Sequence, residues 1–333
     1  MEHPTQPLQP SEIIRISERL AGRPVLLLGD TNVDVSLTVQ TLPAPGGDAL
    51  ASSQIIGLGG SVTNTAILLH RMGALAQIVS CVGEDAWSAY ALDALAAEGM
   101  VTDHLARTGV EQTSLNIVVV TPDGERTMFA CRGASAHLAP ADVPRHVVAR
   151  AEWLHLSGYA LLEEPQRSAA LAAISQAAEN SVPVSLDLPV GPTLTQRERV
   201  LEALPGLRLL VVGRAEAQQL VEADHSVHDV ELAERVLALG PGSVALKLGS
   251  AGAIIAVPGS ATPVPSVPAQ PVDTTGAGDA FCAGIIAGML AGLDVRTSGR
   301  LAALCGAAAT EARGAGRNLP TLDALLARAG ASR

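Results

Sequence analysis

The residues with the clearest capacity for chemistry lie late in the chain, where Gly276-Ala277-Gly278-Asp279 leads into a run of small residues, 282–290. The two glycines let several backbone N–H groups point into one small space at the positive end of a helix dipole. Such a hole would stabilise a phosphate or a developing negative charge. Asp279 follows within the first helical turn, where a carboxylate can act as general base for a substrate hydroxyl. Taken alone, these four residues are also typical of a turn with a helix cap.

A second glycine-rich stretch, 57–64, reads Gly-Leu-Gly-Gly-Ser-Val-Thr-Asn and leads into a predicted helix over 65–72. A Rossmann dinucleotide fingerprint needs a third glycine at position 62, where Val62 stands, so that type of site is excluded. A Walker A loop is excluded as well, because the only lysine of the chain, Lys247, lies in Leu-Lys-Leu-Gly. Two interpretations of this stretch stay open: a tightly packed helix entry and a binding loop.

The elements that must position these residues alternate along the chain. A buried strand is predicted before Asp30, and polar residues at the carboxyl end of such a strand lie where parallel sheets bind ligands. From residue 153 onward, strands and helices alternate regularly, which predicts a parallel sheet covered on both faces. The predicted strands are 153–156, 182–187, 207–212 and 243–248, and the predicted helices are 166–180, 195–203, 214–222 and 229–239.

Two further pairs of short strands do not fit this repetition. Residues 35–39 and 49–56 alternate like exposed strands, and 113–121 and 126–131 form a hairpin pattern about Pro122-Asp123-Gly124. Together they predict a small β excursion from the main sheet.

Composition limits the class of protein. The 333 residues are 48% hydrophobic, with a mean hydropathy of +0.30, which is ample for a large core. The net charge of −11 and the absence of basic clusters argue against a nucleic-acid surface. The four cysteines have neither zinc nor disulfide spacing. No apolar run is long enough for a signal peptide or a membrane span, so we expect a cytoplasmic protein.

The ten-residue context of Asp279 resembles a known family. Residues 273–281, Asp-Thr-Thr-Gly-Ala-Gly-Asp-Ala-Phe, are similar to the C-terminal signature of the ribokinase-like (PfkB) carbohydrate kinases. Gly59, Gly60, Asn64 and Ala66 match the N-terminal signature of that family, Gly-Gly-x-x-x-Asn-x-Ala. Both signatures stand in the right order and spacing, and the resemblance spans roughly 25–320.

The resemblance implies a fold and a domain organisation. The fold would be a ribokinase-like doubly wound α/β structure: a mainly parallel sheet with helices on both faces and a small β-sheet lid. Residues 1–22 would form a tail and a short helix, and 23–333 the kinase domain, with lid segments at about 35–57 and 113–131. In relatives the lid closes over the sugar and often pairs in dimers, so a homodimer through the lid is expected.

The resemblance also implies an activity. The protein would transfer the γ-phosphoryl group of ATP to a hydroxyl of a small polyol, with Asp279 as catalytic base. The anion hole around the transferred group would be formed by Gly276, Ala277 and Gly278. The residues expected to contact the hydroxyls of the acceptor are Asn32, Asp34, Gly59, Gly60 and Asn64.

Residues 247–252, Lys-Leu-Gly-Ser-Ala-Gly, resemble the nucleotide-binding Thr-Leu-Gly-x-x-Gly of the family, with Gly249 and Gly252 in place. A lysine at a buried strand end is costly unless it meets an anion, so we expect Lys247 near the ATP phosphates. Thr275 is also expected at the nucleotide. The alanine-rich helix predicted over 297–312, which contains Cys305, is expected to pack against the adenine.

Two cation sites follow from the same resemblance. Glu216 matches the glutamate of the family's Asn-x-x-Glu, which organises magnesium and its waters, but Gly213 replaces the asparagine. We therefore expect Mg²⁺ to be bound mainly by ATP and reached by Glu216 through water. A loop that helps to hold a monovalent cation, K⁺, in relatives is matched by Asp273, Thr275, Arg313 and Asn318.

The identity of the acceptor stays open. Arg132 is either a surface arginine or a partner for an anionic group of the acceptor, as in the ketodeoxygluconate kinases, which carry an arginine near here. Ser61 stands where ribokinases tend to have lysine, which disfavours ribose, and few aromatic residues (2%) are present to stack a nucleobase. A sugar or sugar-acid kinase therefore leads, a nucleoside kinase follows, and a phosphosugar kinase is third because few basic residues lie nearby. A non-catalytic sugar-binding or regulatory protein is the alternative of another class, and Asp279 speaks against it.

Overall fold

The computed structural model describes residues 8–122, 126–188 and 196–331. Three predicted features reach beyond these ranges: the start of the N-terminal tail, the turn at 123–124, and the first residue of the helix predicted at 195. The described strands are β1 Pro24–Leu28, β2 Asn32–Val39, β3 Ala51–Gly59, β4 Leu75–Gly83, β5 Leu105–Thr108, β6 Ser114–Val120, β7 Arg126–Cys131, β8 Trp153–Ser157, β9 Val184–Leu188, β10 Leu209–Gly213, β11 Val244–Lys247, β12 Ala253–Val257 and β13 Ser260–Val264. The described α-helices are α1 Pro10–Leu20, α2 Ser61–Arg71, α3 Ala86–Ala97, α4 Arg145–Val148, α5 Gln166–Glu179, α6 Arg197–Ala203, α7 Arg214–Leu220, α8 Asp229–Leu237, α9 Ala277–Leu290, α10 Val295–Ala309 and α11 Leu322–Ala331.

The main sheet has nine strands in the order β13-β12-β11-β10-β9-β8-β1-β4-β5. All neighbours from β11 to β5 are parallel, as the βαβ repetition predicts. The last two strands at one end of the sheet, β12 and β13, pair antiparallel and were not predicted from the sequence. The strand order reverses beside β1, so polar residues that follow β1, β9 and β11 meet at one edge.

Helices cover both faces of this sheet because its strands are apolar on both sides. In β1, Val25 and Leu27 pack into one hydrophobic cluster, whereas Leu26 and Leu28 pack into the other. The first cluster contains buried residues of α1, α2, α3, α9, α10 and α11. The second contains those of α5, α6, α7 and α8. The two clusters hold the sheet rigidly between helix layers.

The second sheet has four strands in the order β3-β2-β6-β7 and corresponds to the predicted β excursion. β2 pairs antiparallel with β3 and parallel with β6, and β6 forms a hairpin with β7. Asn32 and Asp34 are the first polar residues of β2, so this sheet begins at the same edge where β1 ends.

The start of α9 is fixed by an unusually close contact with α10. A Cβ atom on Gly284 would lie 2.7 Å from the Cα of Ala302, and one on Gly288 would lie 2.7 Å from Oγ of Ser298. Only glycine allows the two helices to approach this closely. Because α9 begins directly after Gly276, this packing sets the position of the anion hole that the sequence predicts.

Candidate active site

The N-terminus of α9 has the geometry of an anion hole. Gly276 is the N-cap residue and has φ 77°, a left-handed conformation that favours glycine. The amide of Ala277 already donates to the carbonyl of Thr274 at 3.2 Å. The amides of Gly276 and Gly278 donate to no group among the described residues. Of the three predicted hole residues, the two glycines therefore offer the free donors.

Asp279 lies in the first turn of α9, and its carboxylate is one wall of a polar cavity. Oδ2 accepts a hydrogen bond from Nδ2 of Asn64 at 2.7 Å. Burial raises the pKa of Asp279 to about 6, helped by the negative charge of Asp187 and opposed by the hydrogen bond from Asn64. A carboxyl group with this pKa is deprotonated at neutral pH and is a better proton acceptor than an exposed aspartate.

Asn64 lines the polar cavity and also bonds to two other parts of the protein. Its side chain is buried, and while Nδ2 donates to Asp279, Oδ1 accepts from the amide of Gly316 at 3.0 Å. One N–H of Nδ2 and one lone pair of Oδ1 are thus used within the protein. Asn64 orients the Asp279 carboxylate and ties it to the loop after α10.

The polar cavity has a volume of about 450 Å³ and lies between the small sheet, the end of β1 and the start of α9. Five of the predicted acceptor-binding residues line this cavity: Asn32, Asp34, Gly60, Asn64 and Arg132. Its further lining residues, which the sequence analysis did not assign to the site, include Asp30, Ser61, Asn116, Tyr159 and Glu163. Asn116 had a detectable signal, because it is a polar residue between the apolar residues Leu115 and Ile117 of β6.

Asp34 shows why the paired glycines are needed. A Cβ atom on Gly59 would lie 2.2 Å from either carboxylate oxygen of Asp34, and one on Gly60 would lie 2.2 Å from the carbonyl oxygen of Asp30. Gly59 therefore makes room for the Asp34 carboxylate rather than lining the cavity itself. Burial raises the pKa of Asp34 to about 6, and the hydrogen bond from Nδ2 of Asn116, at 2.8 Å, opposes this shift.

Arg132 lines the polar cavity, but its charge is already paired. Nε and Nη2 donate to the two carboxylate oxygens of Asp30 at 3.2 and 3.0 Å, and Nη1 donates to Oε1 of Glu163 at 3.2 Å. Nη2 also donates to Oε1 of Gln166, whose Nε2 donates to Asp30. Arg132 is therefore not a surface arginine, and four of its five N–H donors are used within the protein.

An apolar cavity of about 500 Å³ lies on the other side of the start of α9. It contains the predicted nucleotide residues Lys247, Gly249 and Gly252, and its walls are the loop 266–271, the first turn of α9 and one face of α10. That face is formed by Ala303, Gly306, Ala307 and Thr310, which recur at helical spacing.

Two residues expected at the nucleotide lie elsewhere. Cys305 is fully buried in the core beneath α10, because it stands on the opposite side of the helix from Gly306 and Ala307. Thr275 lines the polar cavity, whereas its neighbour Thr274 lines the apolar one.

Lys247 lines the apolar cavity. Its Nζ lies 2.7 Å from Oδ1 of Asp187, a side chain that is only 3% exposed. A Cβ atom on Gly278 would lie 3.4 Å from the same Nζ, so the ammonium group is beside the anion hole. Burial disfavours the charge of Lys247, but the attraction of Asp187 outweighs it and holds the pKa of Lys247 above its usual value.

Glu216 lies in the first turn of α7, and its side chain is buried. Its Oε2 occupies the space beside Gly213 where any Cβ atom would be, at 2.2 Å. The replacement of the family's asparagine by glycine thus leaves room for the carboxylate to fold back. Oε1 is buried without a hydrogen-bond partner among the described residues, so it could accept a hydrogen bond from a water of a hydrated cation.

The four residues of the predicted monovalent-cation loop are brought together. Oδ1 of Asp273 accepts from the amide and hydroxyl of Thr275 at 2.9 and 2.7 Å, and Oδ2 accepts from the amide of Gly314 at 2.8 Å. Nδ2 of Asn318 donates to the carbonyl of Arg313 at 2.7 Å. In the described part of the chain, no cluster of three or more His, Cys, Asp or Glu side chains could hold a metal ion.

Within the described ranges, every helix is too short or too polar to cross a lipid bilayer.

Comparison with known proteins supports the resemblance. The family model of the pfkB family carbohydrate kinases matches residues 23–322. An ATP-dependent ribose-1-phosphate kinase of Halopiger xanaduensis is 31% identical over 303 residues, which cover 91% of this chain and 97% of the relative.

Two solved structures have the same fold. A ribokinase of Arabidopsis thaliana, solved with ribose and ATP, has a TM-score of 0.78 and 24% identity and covers 92% of this chain and 99% of its own. A fructokinase of Vibrio cholerae, solved with fructose, ADP and a calcium ion, has a TM-score of 0.77 and 27% identity and covers 93% and 99%. The predicted ribokinase-like fold and the predicted enzyme class, a carbohydrate kinase, are both confirmed. The chain belongs to the pfkB family of carbohydrate kinases.

Proposed function

We propose that this protein transfers the γ-phosphoryl group of ATP to a hydroxyl of a small sugar or sugar acid. The observation that carries the proposal is the position of the α9 N-terminus, which separates a polar cavity from an apolar one. Asp279 faces the polar cavity, and Lys247 lies at the apolar one. The similarity to a fructokinase solved with both fructose and ADP supports a sugar and a nucleotide as the two ligands.

The apolar cavity is the proposed nucleotide site. Its walls of alanine, glycine, valine and proline suit a flat heterocycle, and Gly249 and Gly252 let the backbone approach the phosphates. The ammonium group of Lys247 and the free amide of Gly278 would then face the γ-phosphate. Mg²⁺ bound to ATP would neutralise phosphate charge, with Glu216 holding one of its waters.

Asp279 is the proposed general base. Its carboxylate accepts the proton of the acceptor hydroxyl while that oxygen forms a bond to the γ-phosphorus and the bond to the ADP oxygen breaks. Asn64 holds the carboxylate in place from one side, and the amides of Gly276 and Gly278 stabilise the charge on the transferred group. Closure of the small sheet over the polar cavity would exclude water from the reaction.

A panel assay tests this function. ADP formation is measured with purified protein, Mg²⁺ and K⁺ against sugars, sugar acids and nucleosides, with Asp279→Asn alongside. We expect turnover with at least one acceptor class and a large loss in the variant. If no acceptor gives turnover while sugars still raise the melting temperature, the protein is a binding or regulatory member of the family and the proposal is wrong.

We propose two further properties. The loop of Asp273, Thr275, Arg313 and Asn318 binds K⁺, so K⁺ but not Na⁺ should raise the rate.

The small sheet is a homodimer interface, supported by its edge strand β7, where Met128 and Phe129 are 54% and 57% exposed. Light scattering should give a dimer, and Phe129→Asp should give a monomer if β7 is the interface.

A further inference from the structure

We infer that the acceptor is an uncharged polyol and that the polar cavity rejects sugar acids and sugar phosphates. This inference rests on the proposed function and narrows its acceptor class. It departs from the phosphorylated acceptor in the name of the Halopiger xanaduensis relative.

The charge of the polar cavity is the first argument. Among the described residues that line it, four carry carboxyl groups, Asp30, Asp34, Glu163 and Asp279, and Arg132 is the sole Lys or Arg. Both carboxylate oxygens of Asp30 and one of Glu163 are bonded to the guanidinium of Arg132. The cavity therefore has more negative than positive charge before any ligand enters.

The rigidity of the Arg132 pairing is the second argument. Arg132 and Asp30 are both largely buried, with 14% and 8% of their side chains exposed, and Gln166 bonds to both of them. Four of the five guanidinium N–H groups of Arg132 already donate to Asp30, Gln166 and Glu163, so an anionic acceptor can take only one N–H unless it leaves a buried carboxylate without its partner, which is costly. Lys247 lines the apolar cavity instead and is paired with Asp187.

The remaining polar atoms of the cavity are the third argument. Oδ1 of Asn32 is buried and has no hydrogen-bond partner in the described ranges, and the Asp34 carboxylate accepts from Asn116 with one oxygen. These atoms are acceptors, so they require donors from the ligand. A hydroxyl group placed against these atoms supplies such a donor, whereas a carboxylate or phosphate dianion in the same place supplies only acceptors.

Matched acceptor pairs test the inference. Each pair joins a neutral polyol to its charged counterpart: fructose with fructose 6-phosphate, ribose with ribose 1-phosphate, and glucose with gluconate. We expect kcat/KM to be at least about 100-fold higher for the neutral member of any pair that is turned over. Equal or better turnover of a charged member would overturn the inference and leave the kinase proposal intact.

Binding is measured on the same pairs, so that the two proposals can fail separately. A neutral polyol that raises the melting temperature while its charged counterpart does not supports the inference, even without turnover. The absence of turnover would then count against the kinase proposal alone. Tighter binding of the charged member would overturn the inference whatever the turnover.

Variants test the cause of the rejection. Asp30→Asn with Glu163→Gln releases Arg132 from both carboxylates, so the ratio of charged to neutral kcat/KM should rise at least about tenfold. Glu163→Gln alone, at a half-exposed side chain, is the milder variant and should raise the ratio about threefold. Glu179→Gln makes the same change in a surface ion pair with Arg145 and should leave the ratio unchanged. An unchanged ratio in the folded Glu163→Gln and double variants would overturn the inference.

Discussion

The two cavities on either side of the α9 N-terminus are similar in volume but opposite in character. The apolar cavity is lined mostly by small side chains and backbone, with Lys247 as its charged residue in the described chain. The polar cavity has four carboxyl groups and one paired arginine. Residues 274–279 form a shared wall, with Thr275, Gly276 and Asp279 on the polar side and Thr274, Ala277 and Gly278 on the apolar side.

This contrast indicates how the family's chemistry can stay constant while the acceptor changes. The apolar side depends on the close packing of α9 and α10, which a single Cβ atom at Gly284 or Gly288 would disturb. The polar side depends on side chains of the small sheet and the ends of β1 and β6, which can be exchanged without moving a helix. Under the proposed function, the polar cavity would decide which acceptor binds, and the shared wall would bind the transferred phosphate.

The largest effect is expected at the shared wall. Asp279→Asn keeps the shape and the hydrogen bond from Asn64 but removes the proton acceptor. We expect kcat to fall by about 10³-fold, within the range for general bases, with little change in either KM. Steady-state kinetics measures this, and Asp93→Asn, an exposed change of the same kind on α3, should behave like the parent. A loss below about tenfold would remove Asp279 from the role of base.

The next largest effect is expected at Lys247, the charged residue of the apolar cavity in the described chain. Lys247→Met removes the ammonium group beside Gly278, and we expect kcat/KM for ATP to fall by about 10²-fold. Because the change leaves Asp187 buried and unpaired, Lys247→Met with Asp187→Asn serves as a second variant that restores neutrality. If only KM for the acceptor rises in both variants, Lys247 acts on the acceptor rather than on ATP, and its assignment to the nucleotide site is wrong.

A smaller effect is confined to the apolar cavity. Ala307→Phe fills space between α10 and the loop 266–271. We expect KM for ATP to rise about tenfold, from the loss of favourable contacts worth roughly 1.4 kcal/mol, while KM for the acceptor changes less than about twofold. Equal changes in both constants would mean that the nucleotide does not occupy this cavity.

The smallest effect is on stability and depends on pH. The pKa of Asp279 is raised to about 6, so the folded protein binds its proton more tightly than the unfolded chain does, and ionisation destabilises the fold above that pH. Asp279→Asn removes this cost. We expect the variant to be more stable than the parent by about 2 kcal/mol at pH 8, after allowance for solvent in the cavity, and equally stable near pH 4.

Chemical unfolding at the two pH values measures this difference. A variant that is less stable at pH 8 would show that the carboxylate is held without the burial cost that raises its pKa. Asp93→Asn again serves as the control and should show no dependence of the difference on pH.

Much of this arrangement could be predicted from local sequence. The βαβ alternation predicts the parallel sheet, and Gly276 to Asp279 predict the anion hole, because both depend on residues adjacent in the chain. The antiparallel strands β12 and β13 were missed although they are short and local. Cys305 was predicted to lie at the adenine but is buried in the core. The sequence of an alanine-rich helix does not show which of its faces is buried.

The polar cavity could be predicted only in part. Arg132 was identified, but its pairing with Asp30, 102 residues away, depends on how β1 and the loop after β7 meet in space. Asn64 was also identified, yet its orientation depends on Gly316, 252 residues further on. Sequence motifs thus located the residues, and long-range packing decided what each one contacts.

The most direct test of the central claim is a transfer experiment with ATP labelled in the γ-phosphate and an acceptor from the panel. We expect the label to appear in the phosphorylated acceptor in a one-to-one ratio with ADP, and this transfer to be nearly lost in Asp279→Asn. Label that appears as free phosphate, or transfer by the variant at the parent's rate, would contradict the account of a base and an anion hole shared by two cavities.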